Sequence, residues 1–479
     1  MNPRLSLPLD IPRSELLERA AGVIADAWRS FDQARAREPK LADNLREWAG
    51  EGLFDAPMPA LEALERARRY LDTSIAQARP RYFAFVGSSG LEVGVLADAL
   101  ASTFDVNLAT NARSADLIEA QALRFAAELV GYPVGGGAFT SGGMVSNLTA
   151  LTAARERALP NARHTGLSNR PCALYCSSEA HYSVRRAAEI LGIGADFVRC
   201  IPTDAQHRMI PEATAAALEA DLRVGITPVA IVATGGTTLT GAVDPISSLA
   251  DVAAQFGVWL HVDGAYGLPG AAAPSTRALF AGLERADSIC VDAHKWLYLP
   301  KACSIVLVRD RHALSRAFSH NENYMLHDAD TPLNAVDSTL EYSRPFRALK
   351  FWMALRVHGA DQYRAAIERN LEQARRCARL VRGQPELELL LEPQLSTVPY
   401  RHVPDALRGD PDALDAHNLE LVKAMQADGR VYISSAVVDG KACLRPCFVN
   451  FRTSDDDVDA LVDVTLEIGA RLVAQRSLA

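Results

Sequence analysis

The sequence predicts an α/β protein: a large domain on a mostly parallel sheet, with a helical segment before it and a small α+β domain after it. Three observations carry this. Short β-rich apolar runs alternate with helical patterns through the middle of the chain, which is how strands buried beneath crossover helices are encoded. The stretch up to about Leu71 carries only helical periodicity. Beyond about Arg347 a long helical pattern gives way to a few further short strands.

In chain order, residues 1–86 form the helical segment. LLERAAGVIADAWRSF and LEALERARRYL place apolar residues three and four apart, with acidic residues near their starts. EWAGEGLFDAPMP, with its glycines and prolines, connects them. Such thin helices cannot enclose a core and must pack on something else. Residues 87–346 form the large domain. GGGAFT, CALYCS, PVAIVAT, VWLHVD, SICVD and SIVLVRD read as its buried strands, and LTALTAARERAL, SVRRAAEIL and ISSLADVAAQF as helices between them. Residues 347–479 form the small domain, entered by FRALKFWMALRVHGADQYRAAIERNLEQARRCARLV and completed by LELLLEP, TVPYRHV, GRVYISSAVV and ACLRPCFVNF. There is no internal repeat and no low-complexity tract.

Composition narrows the function. The 479 residues are 49% hydrophobic and 23% charged, ordinary values for a globular protein. Its 58 acidic and 50 basic residues give a net charge of -8 and are mixed along the chain, which argues against a nucleic-acid partner. No run of about 18 apolar residues is present, and MNPRLSLPLDIPRSELLERA is charged where a signal peptide is apolar, so no membrane partner and a cytoplasmic location are expected. The eight cysteines lie in apolar surroundings, and Cys172/Cys176 and Cys443/Cys447 have three intervening residues rather than two. They read as buried free thiols rather than zinc ligands or disulfides.

Ligands of parallel sheets gather at the carboxyl ends of the strands. AFT runs into SGGMVSN, whose glycines admit a ligand close to the backbone and whose helix start presents amides to an anion. No lysine follows those glycines, so this is not a nucleotide P-loop, and G-x-G-x-x-G is absent. VAIVAT runs into GGTT, VWLHV into Asp263, and SICV into Asp292, His294 and Lys295. His261, Asp263 and His294 lack the spacing of a metal motif, and no metal is expected. Lys295 ends an apolar run among aromatic neighbours. Desolvation there should lower its pKa and free a neutral amine for Schiff-base chemistry. An anion cradle, a strand-end aspartate and an amine make a site for pyridoxal 5'-phosphate (PLP), holding its phosphate, ring nitrogen and aldehyde.

TSGGMVSNLTAL, EAHYSVRRAAEILG, ATGGTTLTGAVDPI, HVDGAYG, DSICVDAHKWL, SRPFRALKFWMALR and LRPCFVNFRTSDDDVD together resemble the PLP-dependent group II amino-acid decarboxylases, such as the aromatic-L-amino-acid and glutamate decarboxylases. The resemblance runs over nearly the whole chain and implies PLP fold type I, the aspartate aminotransferase-like architecture. It makes Lys295 the Schiff-base lysine, Asp263 the partner of the pyridine nitrogen, His181 the imidazole stacked on the ring and Thr234 a contact beside Asp263. His294, Asp292, Ser88 and the backbone of Gly143 and Met144 would surround the phosphate, with Asp292 standing where some members have Asn. Tyr82, Phe83 and Phe85 would form an aromatic wall for the substrate, while Arg79 or Arg81 could serve an acidic one. The aromatic decarboxylases carry a loop tyrosine as proton donor; an ungapped count puts Ala335 there, leaving Tyr324 or His327 as donors. Changes at that place are associated within the family with oxidative deamination to an aldehyde. The resemblance also implies a homodimer, with the N-terminal helices wrapped around the partner.

Overall fold

The computed structural model describes residues 7, 9–33, 43–53, 56–75, 77–109, 112–167, 169–320 and 335–478. Seven strands form the main sheet: β1 Gly136–Thr140, β2 Cys172–Ser177, β3 Val198–Ile201, β4 Thr227–Thr234, β5 Trp259–Asp263, β6 Ser288–Val291 and β7 Ser304–Val308. Their order is β1-β7-β6-β5-β4-β2-β3. The neighbours from β6 to β3 pair in parallel, whereas β7 is antiparallel to both β6 and β1. Every residue of β2, β5, β6 and β7 is buried, as expected of strands covered on both faces. The reversal at β7 has a local cause. No crossover helix stands between Val291 and Ser304, so the chain returns beside β6 through the loop 292–303, which holds Lys295.

Three of the expected helices, Gly143–Ala158, Ser183–Ile190 and Ile246–Phe256, are present, together with Arg13–Phe31 and Ala60–Asp72 of the N-terminal segment. Arg13–Phe31 and Ala60–Asp72 have no buried residue. Helices Glu92–Phe104, Ser114–Val130 and Pro211–Arg223 were not foreseen, nor was β3. β3 has only four residues, two of them Arg199 and Cys200, and lies at the sheet edge, so it lacks an apolar run. Cys200 also corrects the expectation of uniformly buried thiols: it is exposed, while the other seven free cysteines are buried.

A second, antiparallel sheet has the order β10-β11-β9-β8, from β8 Leu387–Leu389, β9 Tyr400–His402, β10 Ser435–Val438 and β11 Lys441–Leu444. Helices Pro411–Asp428 and Asp455–Leu478 complete this part. The long helix Ala348–Arg382 is broken at Gly359, where φ is 71°. It serves both cores: Phe351, Ala354, Tyr363, Ile367 and Leu371 join the large one, and Ala374, Cys377, Ala378 and Val381 the small one. Phe83, far upstream, also packs in the small core. Among the described residues no helix is long and apolar enough to cross a membrane.

Candidate active site

The site lies at the carboxyl ends of β4, β5 and β6. β4 and β5 run in register to their last residues, so Thr234 is paired with Asp263, and β6 brings Cys290 beside Asp263. Each terminal side chain is thereby delivered to one edge of the sheet by the strand ladder.

Asp263 is 6% exposed. Its Oδ2 accepts from Asn147 Nδ2 at 2.8 Å and its Oδ1 from the Ala265 amide at 3.1 Å, with Cys290 Sγ 3.3 Å away. Burial works to raise the carboxyl pKa, but His261, these donors and the Lys295 charge outweigh it, holding the group below its ordinary value and ionised. Thr234 is 4% exposed, and its Oγ1 has no hydrogen-bond partner among the described residues. A buried hydroxyl without a partner is costly, so Thr234 is suited to a ligand's polar atom.

Lys295 Nζ sits 2.9 Å from Oδ2 of Asp292, a residue 2% exposed. Desolvation pulls the lysine pKa down, yet the Asp292 carboxylate, and Asp263 behind it, more than reverse this, and the pKa lies above its ordinary value. The sequence expectation of a lowered pKa is thus overturned in the protein without cofactor. Burial was weighed without the carboxylate three residues earlier, which the turn folds back onto the ammonium.

The start of helix Gly143–Ala158 faces this pair. A Cβ on Gly143 would lie 2.9 Å from Ala265 Cβ and 3.0 Å from Asp292 Oδ2, and one on Gly142 would lie 3.9 Å from His294 Cε1. The bare backbone of Gly142, Gly143 and Met144 therefore forms a cradle beside Lys295, with first-turn amides and the positive end of the helix aimed at an anion. His294 Nδ1 donates to the Cys303 carbonyl at 2.7 Å, and its Nε2 lies 3.8 Å from Asp292 Oδ2. Oδ1 of Asp292 has no hydrogen-bond partner among the described residues.

His181 Nδ1 accepts from the Ser183 amide at 3.2 Å, and its ring lies against Tyr182 with centroids 4.4 Å apart. Burial lowers its pKa, and it feels the charges of Asp263, Lys295 and Asp292, so these four residues share one electrostatic site. His261 is different from what a metal ligand requires: both ring nitrogens are bonded, to Ser288 Oγ at 2.8 Å and to Asn147 Oδ1 at 2.9 Å.

Other expected site residues are placed elsewhere. Ser88 donates to the Ser89 carbonyl at 3.5 Å, and no described contact joins it to the Lys295 cluster. The aromatic wall is corrected: Tyr82, 3% exposed, stacks on Tyr432 at 5.1 Å, and Phe83, 1% exposed, packs on Phe448, so both serve as core. Only Phe85, 62% exposed, offers its ring. It has a φ of 55°, and Arg445 holds its carbonyl at 2.8 Å. Tyr324 and His327 lie outside the described residues. Ala335 opens a short 3-10 turn, Ala335–Ser338. Asn147 and Cys290, which touch Asp263, were missed. SGGMVSN contained Asn147, and its spacing one helical turn after Gly143 was the available signal.

The donor set suits PLP: an amine, a buried carboxylate, an unpartnered hydroxyl and a glycine cradle at a helix start. Together with the seven-stranded sheet and its antiparallel β7, it defines a PLP-dependent enzyme of fold type I. The pyridoxal-dependent decarboxylase conserved domain matches residues 44–403, and the chain belongs to that decarboxylase family. It is 31% identical over 466 residues to the aromatic-L-amino-acid decarboxylase of Bacillus atrophaeus, covering 96% of this chain and 95% of that one. The cysteine sulfinic acid decarboxylase of Homo sapiens is 33% identical over 371 residues, 74% of either chain. Among solved structures, Oryza sativa TDC with PLP and tryptamine superposes with a TM-score of 0.91 at 26% identity, covering 97% of this chain and all of that one.

Proposed function

We propose that this PLP-dependent decarboxylase acts on an aromatic L-amino acid and releases the amine and carbon dioxide. The observation that carries the site assignment is the convergence of Lys295, Asp263, His181 and the Gly143 cradle at one edge of the sheet. When bound, PLP supplies an aldehyde that captures an amine and a ring that accepts the electrons left by departing carbon dioxide. Lys295 would offer the protein's amine to that aldehyde. Asp263, kept ionised, would hold a proton on the pyridine nitrogen, and His181 would cover the ring face. The first-turn amides at Gly143 and Met144, with His294, would hold the phosphate.

The aromatic substrate is supported by likeness to an aromatic decarboxylase along almost the whole of both chains. The two arginines named for an acidic substrate each already have a partner within the chain. Arg81 Nε pairs with Asp457 at 2.8 Å and Arg79 donates to the Ser30 carbonyl at 2.9 Å. An amino-acid panel, with amine, carbon dioxide, aldehyde and peroxide measured together, tests this. Faster turnover of glutamate or cysteine sulfinate than of tyrosine, tryptophan or phenylalanine would overturn it. Ala335, where an alkyl side chain cannot donate a proton, favours a second reading in which aldehyde forms with oxygen uptake; an oxygen electrode separates the two.

The working unit in this proposal is a homodimer. Leu96, Leu100 and Phe104 make an apolar stripe 48%, 45% and 76% exposed along one helix, and two N-terminal helices bury nothing within the chain. A fully active monomer in sedimentation would refute it.

A further inference from the structure

Behind Asp263 runs a chain of buried hydrogen bonds in which both ends have only one possible sense. At one end, Trp259 Nε1 can only donate, and it lies 2.8 Å from Ser288 Oγ. Ser288 Oγ, which keeps a second lone pair and a hydrogen of its own, lies 2.8 Å from His261 Nδ1 and can serve either tautomer. At the other end an ionised Asp263 can only accept, so Asn147 must turn its amide nitrogen to Oδ2 at 2.8 Å. Its oxygen is left facing His261 Nε2 at 2.9 Å, and that nitrogen must donate. Read from the Asp263 end, His261 must donate from Nε2, and in its neutral form it leaves Nδ1 to accept from Ser288. Trp259, Ser288, His261 and Asn147 are each at most 2% exposed, so water does not compete for these bonds. Burial agrees, pushing the His261 pKa down to about 4.

We propose that Asn147 and His261 are positioning residues that lock Asp263 as an ionised acceptor for the cofactor's ring nitrogen. Every dipole in the chain points its positive end towards Asp263, and successive bonds polarise one another in a dry interior. Asn147 is oriented from both sides: His261 Nε2 and the Cys290 thiol, 3.0 Å away, hold its oxygen, while its nitrogen also reaches Ser183 Oγ at 2.9 Å. A rotated amide would set its oxygen against the Asp263 carboxylate and lose these partners. The chain moves no proton. It fixes which group is charged.

The proposal rests on the reading that Asp263 faces the ring nitrogen, and the tests separate the two. Nitrogen-15 spectra of the cofactor-free protein should show His261 neutral and protonated at Nε2 from pH 5.5 to 9; an imidazolium or an Nδ1–H tautomer at pH 7 overturns the chain. With nitrogen-15-labelled PLP bound, Asp263→Asn should move the ring-nitrogen resonance to its unprotonated position. Asn147→Asp, which sets a second carboxylate beside Asp263, should move it the same way and weaken cofactor binding on the order of tenfold or more, the worth of one charge-assisted bond. No change in either variant removes both readings. A change for Asp263→Asn without one for Asn147→Asp removes this proposal alone. Where Asn147→Asp does not fold, the His261 tautomer in the unmodified protein decides.

Discussion

Replacing Asp292 by Asn should make Lys295 a better nucleophile. In the cofactor-free protein the lysine is an ammonium held by a buried carboxylate at 2.9 Å. Two unit charges at that separation attract by about 6 kcal/mol at an effective dielectric of ~20. That is an upper bound, because the lysine side chain is 24% exposed and partly screened. Opposite charges at such range shift a pKa by about 1–3 units, so removing this one should lower the Lys295 pKa. The remaining desolvation acts in the same direction. The assay is stopped-flow capture of PLP by the cofactor-free protein, followed through the visible band of the lysine-bound cofactor across pH. The midpoint of the rate profile should fall, and capture at a pH below both midpoints should quicken about tenfold or more. A midpoint that moves by less than about half a unit, or upwards, would refute the assignment of Asp292 as the lysine's counter-ion.

Further outcomes follow from neighbouring features. Lys295→Ala should lose the visible band and turnover while keeping its near-ultraviolet circular dichroism; retained activity would remove the Schiff-base assignment. Gly143→Ala places a methyl group 2.9 Å from Ala265 Cβ, and this overpacking of about 1–3 kcal/mol should raise the cofactor dissociation constant about tenfold, read by spectroscopic titration. Arg344→Met strips the partner from Glu119, whose carboxyl burial already pushes up, and frees the Leu108 and Phe139 carbonyls bonded at 3.2 Å. It should cost about 3–5 kcal/mol in denaturant unfolding, partly recovered by adding Glu119→Leu. His417 is fully buried, and desolvation, then His402 and Arg476, push its pKa down to about 4 from 6.5. The unfolded chain takes up that proton first as pH falls, so stability should drop by about 3 kcal/mol from pH 6.5 to 4 and flatten below. His417→Gln should remove that part of the slope.

The sequence by itself determined the fold class and singled out the candidate chemical groups. The apolar runs at β2, β4, β5, β6 and β7 are long enough to be read locally, and Asp263 and Lys295 stand at or just past strand ends, where the sheet must put its ligands. β3 escaped because an edge strand needs little apolar surface, and the long helix could not be divided because both of its cores ask for the same periodicity. What only the tertiary structure decided is orientation and charge. Phe83 and Phe85 are two residues apart, yet one enters the small core and the other faces solvent, since the backbone takes a positive φ at Phe85. Asn147 meets Asp263 across 116 positions, and His261 meets Asn147 across 114, contacts with no local signature. Lys295 carries its charge because a turn returns Asp292 to it. Periodicity belongs to neighbours in the chain, whereas a protonation state belongs to whichever dipoles and charges the fold gathers in a place without water.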